Sequence, residues 1–281
     1  MSVAGAGEPI ARGRDAEVYA LGDGRVLRRY RGPGPTGREM RVMAWARSHG
    51  YPVPQVYERT ETDLILDRLH GPTMLADLAR RPWRLVRHAK TLAGLHRQLH
   101  AIPAPAELPA PLGEGGSLVH LDLHPGNVVL TASGPMVIDW PNAARGDGLA
   151  DVAYTWVILT TSRLEGSLLH RLILATGRRL FAAAFLAGFD RRAVFRQLPV
   201  VVRARLADRY VLDEERVRLR RLLAVASQVQ PRGIGRREVQ VDPRVAGQPG
   251  LDLGVLVGGV VVEHDMQLPA RIGTGDEFEE G

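Results

Sequence analysis

Residues 120 to 140, HLDLHPGNVVLTASGPMVIDW, leave this chain few options. Asp122 is followed five positions later by Asn127. An apolar run, Val128 to Leu130, then meets Thr131-Ala132-Ser133-Gly134, and a second apolar run, Met136 to Ile138, ends at Asp139. Two apolar runs joined by a few turn residues predict an antiparallel hairpin. A hairpin returns the chain to its starting end, so Asn127 and Asp139 are expected side by side, with Asp122 just upstream. Hard oxygen ligands gathered at one end of a hairpin are what a magnesium–phosphate site needs.

Upstream, residues 1 to 14 are small and Gly-rich and are expected to fray. Glu17 to Leu21 and Arg25 to Tyr30 read as strands around the turn Gly22-Asp23-Gly24. The two-residue period puts Val26, Arg28 and Tyr30 on one face. Thr36 to Gly50 reads as a helix, opened by Thr36 and Glu39 as a capping box and closed by Gly50, Pro52 and Pro54. Two more strands are expected near Gln55 to Glu58 and Asp63 to Arg68.

After Gly71-Pro72 the pattern turns helical. A short helix is expected over Leu75 to Ala79 and a long one over Trp83 to Ile102, where Leu85, Ala89, Leu92, Leu95, Leu99 and Ile102 keep helical spacing. Residues 103 to 117 read as a Pro/Ala/Gly loop. Helices resume at about Leu149 to Thr161, Ser167 to Ala187 and Val200 to Ser227. The expected organisation is α+β: a β-rich lobe over residues 1–70 and a helical lobe carrying the hairpin over 71–231. Residues 232–281, rich in Gly, Val, Asp and Pro, read as an atypical, disordered or loosely packed tail.

The 281 residues contain no cysteine, which excludes disulfides and thiolate-held metal. The N-terminus lacks the basic-then-apolar pattern of a signal peptide. The most apolar stretch, Leu251 to Val262, is far shorter than the roughly 20 residues a membrane span needs. A soluble, cytoplasmic protein with no membrane contact is therefore expected. The net charge of +6 invites a nucleic-acid reading. Yet the basic residues are nearly all arginines, with Lys90 the only lysine, and they are scattered through helices beside acids. No recognition-helix pattern accompanies them, so no nucleic-acid partner is expected. An anionic small ligand such as a nucleotide suits the charge equally well.

Other motifs compete less well. GPGPTG at 32–37 matches a dinucleotide fingerprint, but Pro33 and Pro35 remove the backbone donors a pyrophosphate requires. His120, Asp122 and His124 alternate as strand ligands would, but Pro125-Gly126-Asn127 ends any strand at once. His96 and His100 are an i,i+4 pair with no third ligand evident, so they read as surface or half-buried histidines. Ser133-Gly134 lacks the flanks of a nucleophile elbow.

HLDLHPGN, then VIDW, then RGDGLADVA, resembles the aminoglycoside phosphotransferase / choline kinase family, whose fold is protein-kinase-like. SHGYPVPQVY and LILDRLHGPTM resemble its small lobe and hinge, so the likeness covers roughly residues 10 to 230. It implies a two-lobed fold, a small antiparallel β lobe with one helix and a larger helical lobe. It also implies transfer of the terminal phosphate of ATP, with Mg2+, to a hydroxyl of a small molecule such as an aminoglycoside, a choline-like alcohol or a sugar.

On this resemblance Asp122 is the catalytic base, and Asn127 and Asp139 hold magnesium. His120 braces the catalytic loop, and Asp147, with Asp151, caps the next helix or steadies the loop. His124 lies between base and metal ligand. Arg28 takes the place of the usual phosphate-binding lysine, with Glu39 as its ion-pair partner. Arginine keeps the charge but presents a planar fork. Leu121 stands where the family more often has glycine, and only Gly13 represents the glycine-rich phosphate loop. These departures motivate an alternative, a catalytically weak or inactive nucleotide-binding protein. The complete Asp122, Asn127 and Asp139 set favours catalysis.

Overall fold

The computed structural model describes residues 8–13, 15–161, 168–208 and 211–229. The expected tail at 232–281 lies outside the described residues. The first half holds β1 (Ala11–Arg12), β2 (Ala16–Ala20), β3 (Arg25–Tyr30), α1 (Thr36–Ser48), β4 (Val56–Arg59) and β5 (Asp63–Asp67). Its strands form one antiparallel sheet in the order β1-β2-β3-β5-β4. In β3, Leu27 is fully buried, while Arg28 and Tyr30 both reach toward Glu39 on α1, as the two-residue period requires.

The expected capping box does not form. Pro35 sits at the N-cap, so Thr36 is already inside the helix and has no cap to make. Its hydroxyl instead donates to the Thr60 carbonyl at 2.6 Å and ties α1 to the β4–β5 turn. The Glu39 carboxylate turns inward and is buried.

The second half contains α2 (Met74–Arg80), α3 (Leu85–His100), β6 (Ser117–Val119), the hairpin β7 (Val128–Thr131) and β8 (Gly134–Val137), β9 (Ala144–Gly146), α4 (Gly148–Thr161), α5 (Leu168–Leu186), α6 (Arg191–Arg196), α7 (Leu198–Ala207) and α8 (Asp213–Val229). The expected helix Val200 to Ser227 is in fact two. The chain leaves α7 at Asp208, and Arg216 fastens the corner by donating to the carbonyls of Leu206, Asp208 and Val211. Helix α6, not expected from the sequence, starts at Asp190, whose side chain accepts from the amides of Arg192 and Ala193.

Two features position the hairpin. Strands β6 and β9 pair antiparallel, from Ser117↔Gly146 to Val119↔Ala144, and so hold both ends of the segment from His120 to Ala143. The connection between the two halves also lies against the hairpin, where Leu130 N donates to the Pro72 carbonyl at 2.9 Å. Gly71 permits this approach, because a Cβ there would fall 2.0 Å from the Leu130 carbonyl oxygen. Helix α4 is buried nearly all round, and a contiguous apolar core runs from Ala16 and Tyr30 in the sheet through α3 and α4 to Leu222 in α8. Among the described residues no helix is long and apolar enough to cross a membrane.

Candidate active site

Strands β7 and β8 pair in register from Val128↔Val137 to Thr131↔Gly134. One step beyond the register, Ile138 N donates to the Asn127 carbonyl at 3.0 Å, so Asn127 and Asp139 meet at the base of the hairpin. The Asn127 side-chain nitrogen donates to the Asp122 carbonyl at 2.9 Å and to Asp122 Oδ2 at 3.1 Å. The backbone carbonyl can only accept, which fixes the amide with its nitrogen toward Asp122 and its carbonyl oxygen away.

The backbone is strained on both sides of this frame. Leu121 (φ 60°) and Asp139 (φ 69°) occupy the left-handed region that favours glycine. Asp151 supports the first. Its Oδ1 accepts from Leu121 N at 2.8 Å and its Oδ2 from His120 N at 3.2 Å. His120 is fully buried, with Nε2 3.2 Å from the Ile138 carbonyl and its ring 4.7 Å from that of Trp140. It therefore couples the loop before Asp122 to the strand end before Asp139.

Asp147 lies elsewhere. It accepts from Leu149 N at 2.8 Å and from the Gln197 side chain at 2.9 Å, so it steadies the start of α4 and the α6–α7 corner. The contacts to the amides of His120 and Leu121 belong to Asp151. Its signal in the sequence was a lone acid inside the otherwise apolar run of α4. His96, expected from its spacing as a surface or half-buried histidine, is neither. It is fully buried behind the loop, with Nε2 3.3 Å from the Leu123 carbonyl, and Asp151 lies beside both it and His100.

Arg28 spans from the sheet to the hairpin. One guanidinium nitrogen lies 2.9 Å from Glu39 Oε1 and another 2.5 Å from Asp139 Oδ1. Glu39 also accepts from the Tyr30 hydroxyl at 2.5 Å and from Trp140 N at 3.3 Å. Burial works against the Arg28 charge, but Asp139 and Glu39 outweigh it and hold the guanidinium more firmly protonated than usual. Burial likewise opposes ionisation of Asp139, yet Arg28 keeps that carboxyl below its ordinary value. Glu39 is pushed up, since burial there exceeds the help from Arg28 and Tyr30.

Burial, and next the negative charge of Asp139, push Asp122 up to about 7. Arg205 partly opposes this. It is fixed by Asp208 at 3.0 Å and Glu215 at 3.1 Å and has Tyr154 beside it. His124 accepts from Gly126 N at Nδ1, 3.0 Å away, so its ring proton is on Nε2, 3.8 Å from Asp122 Oδ1. Burial lowers this imidazole to about 4, which keeps it neutral near pH 7.

The groups therefore divide into a carboxylate clamped by an amide, two oxygen donors at a hairpin base and an arginine reaching them from the opposite sheet. The carboxylate of Asp139 and the amide oxygen of Asn127 are the hard donors that suit magnesium.

A sequence model described as the phosphotransferase enzyme family matches residues 6–115 and 105–195. Thiamine kinase of Escherichia coli O9:H4 (strain HS) is 36% identical over 83 residues, which are 30% of this chain and 29% of that protein. The match thus spans less than a third of the relative's length. Among solved structures, the gentamicin complex of APH(2")-IIa superposes with a TM-score of 0.52 at 14% identity, covering 79% of this chain and 90% of that one. The GDP and kanamycin complex of APH(2")-IIia gives 0.51 at 16% identity, covering 81% and 92%. At these identities the likeness is one of fold.

Proposed function

The chain belongs to the phosphotransferase enzyme family and has its protein-kinase-like fold, and from that premise we propose that it transfers the terminal phosphate of ATP to a hydroxyl of a small molecule. The observation that carries this reading is the single frame of Asp122, Asn127 and Asp139, tied by the Asn127–Asp122 and Ile138–Asn127 bonds and met by Arg28. Asp122 accepts a hydrogen bond from the acceptor hydroxyl and aligns its oxygen on the γ-phosphorus. The new O–P bond forms as the bond to the ADP oxygen breaks, and the hydroxyl proton passes to Asp122. Asn127 holds Asp122 in place, and Arg28, oriented by Glu39, balances charge on the α- and β-phosphates. Magnesium, held by Asn127 and Asp139 when bound, supplies further neutralisation of the phosphate charge.

The acceptor class proposed is an aminoglycoside, a choline-like alcohol or a sugar. Kanamycin and gentamicin complexes among the fold neighbours and a thiamine kinase among the sequence relatives widen the panel to test. Turnover of ATP and of GTP with such a panel is the deciding experiment. Asp122→Asn is expected to lower kcat by about 10²–10⁴-fold with nucleotide binding retained. If no alcohol raises turnover and residual hydrolysis ignores Asp122→Asn, the proposal fails. One observation favours a second reading. Arg28 lies directly on Asp139, the acid that is to take the metal. Nucleotide binding without turnover would mark a binding protein.

A further inference from the structure

Behind the catalytic loop, and apart from the oxygen donors at the hairpin base, α3 and α4 bring together two histidines and a carboxylate. His96 and His100 lie one turn apart on α3, and Asp151 of α4 faces both. Asp151 Oδ2 is 2.9 Å from His100 Nε2 and 3.5 Å from His96 Nδ1, and the three ligand atoms all lie within 4.8 Å of one another. His96 and Asp151 are fully buried, and the His100 side chain is 13% exposed.

The hydrogen bonds around His96 fix its tautomer. The Thr155 hydroxyl donates to the Leu123 carbonyl at 2.9 Å, so its proton is committed. His96 Nε2 lies 3.2 Å from that hydroxyl oxygen and 3.3 Å from that carbonyl. With the Thr155 proton on the shorter bond to Leu123, both neighbours accept, an arrangement in which Nε2 carries the ring proton. Nδ1 is left with its lone pair. It is buried, has no hydrogen-bond partner among the described residues, and points toward Asp151. A lone pair and a carboxylate facing each other in a buried site call for a positive charge between them.

We propose that His96 Nδ1, His100 Nε2 and Asp151 Oδ2 bind one divalent cation of the zinc type. Two imidazoles and one carboxylate suit zinc or cobalt far better than magnesium or calcium, which want oxygen. Histidines four apart on a helix with a third ligand from another element are a recurrent zinc arrangement, and three protein ligands leave one tetrahedral position open. The outer contacts fit as well. A ligating histidine usually donates its other N–H to a carbonyl or carboxylate, as His96 does to Leu123. Ligation through Nε2 places the His100 ring proton on Nδ1. The cation joins α3 to α4 and, through Asp151, to the amides of His120 and Leu121.

The test uses the full chain, stripped of metal by dialysis against a chelator. Zinc is titrated against a chromophoric chelator in excess magnesium, which occupies the oxygen donors of the hairpin. Cobalt is added in parallel. The expected result is one zinc per chain, an intense visible spectrum of tetrahedral cobalt, and X-ray absorption showing imidazole nitrogens at about 2.0 Å. His96→Gln and His100→Gln should each weaken binding at least about tenfold, whereas Asp139→Asn should not. Wild type binding zinc no more tightly than His96→Gln, or zinc held by oxygen alone, overturns the proposal and leaves a hydrogen-bonded triad sharing a proton. If the variants do not fold, the wild-type stoichiometry and X-ray absorption decide. None of these readouts involves phosphate transfer.

Discussion

Leu121 carries a left-handed backbone at a position where its side chain is also buried, so two demands compete in one residue. Left-handed geometry costs a non-glycine residue about 1–3 kcal/mol, and β-branching makes it worse. Leu118, fully buried in β6, has no such constraint, and a β-branched residue suits its strand. Leu121→Val is therefore expected to destabilise by at least about 1 kcal/mol more than Leu118→Val, the packing loss being similar. Urea melts of the two variants measure the difference, and equal losses would deny the strain. At Arg28 the competing quantities are charge and burial. Arg28→Met leaves Glu39, 1% exposed, without its cation. Breaking one side of a buried pair typically costs about 3–5 kcal/mol. Adding Glu39→Gln should recover part of that loss, a coupling of about 1 kcal/mol or more in a double-mutant cycle. Simple additivity would mean the ion pair contributes little.

Between elements, α2 and α3 are joined by one carboxylate. Asp77 is 1% exposed and accepts from Arg81 at 2.8 Å, Arg84 at 3.3 Å and His88 at 2.7 Å. The bond to His88 is the largest influence; burial opposes it, Arg81 and Arg84 add to it, and the carboxyl is held down to about 2 against an ordinary 3.8. A depressed carboxyl contributes stability that is complete above its unfolded value and fades as pH falls through the folded one. The stability difference between wild type and Asp77→Asn should thus hold steady above about pH 4 and shrink toward pH 2, as unfolding titrations at each pH would show. A difference independent of pH would mean the ionised form of Asp77 is not what joins the helices. The hairpin, the β3–α1–β4 order and the long α3 were legible because each rests on local periodicity and turn residues. The α7–α8 corner was not, since Arg216 makes it by reaching back to three carbonyls, and helical spacing continues through both helices. The β6–β9 pair was hidden too, as strands of three residues carry almost no pattern. Within the site, Asp122, Asn127 and Asp139 stood out by type and spacing. Asp151 is expected to cap the next helix or steady the loop, and His96 and His100 are expected as surface or half-buried histidines; that the three meet depends on two helices packing face to face. Glu39 was given a cap that Pro35 forecloses.

Across the molecule, the apolar core is continuous from the sheet to α8, so the two halves should unfold in one cooperative transition. The charged groups cross the same boundary. Arg28 and Glu39 come from the sheet side and Asp139 from the hairpin, and they are joined by the Arg28 ion pairs and by Trp140 N donating to Glu39. A nucleotide that takes over Arg28 and Asp139 would stabilise the whole fold, since binding to the native state alone adds about 2.7 kcal/mol at a hundredfold excess over Kd. For a chain of this size that corresponds to a rise in Tm of roughly 5–10 °C. The rise should require magnesium and ATP together. It should persist in Asp122→Asn, because on the proposed mechanism that carboxylate serves the acceptor hydroxyl, and it should collapse in Asp139→Asn, which would lose the stronger of the proposed oxygen donors. Thermal melts of the three proteins with and without Mg·ATP separate binding from chemistry without any knowledge of the acceptor. An undiminished shift in Asp139→Asn would place the nucleotide away from the hairpin and remove the basis for assigning Asp139 to the metal.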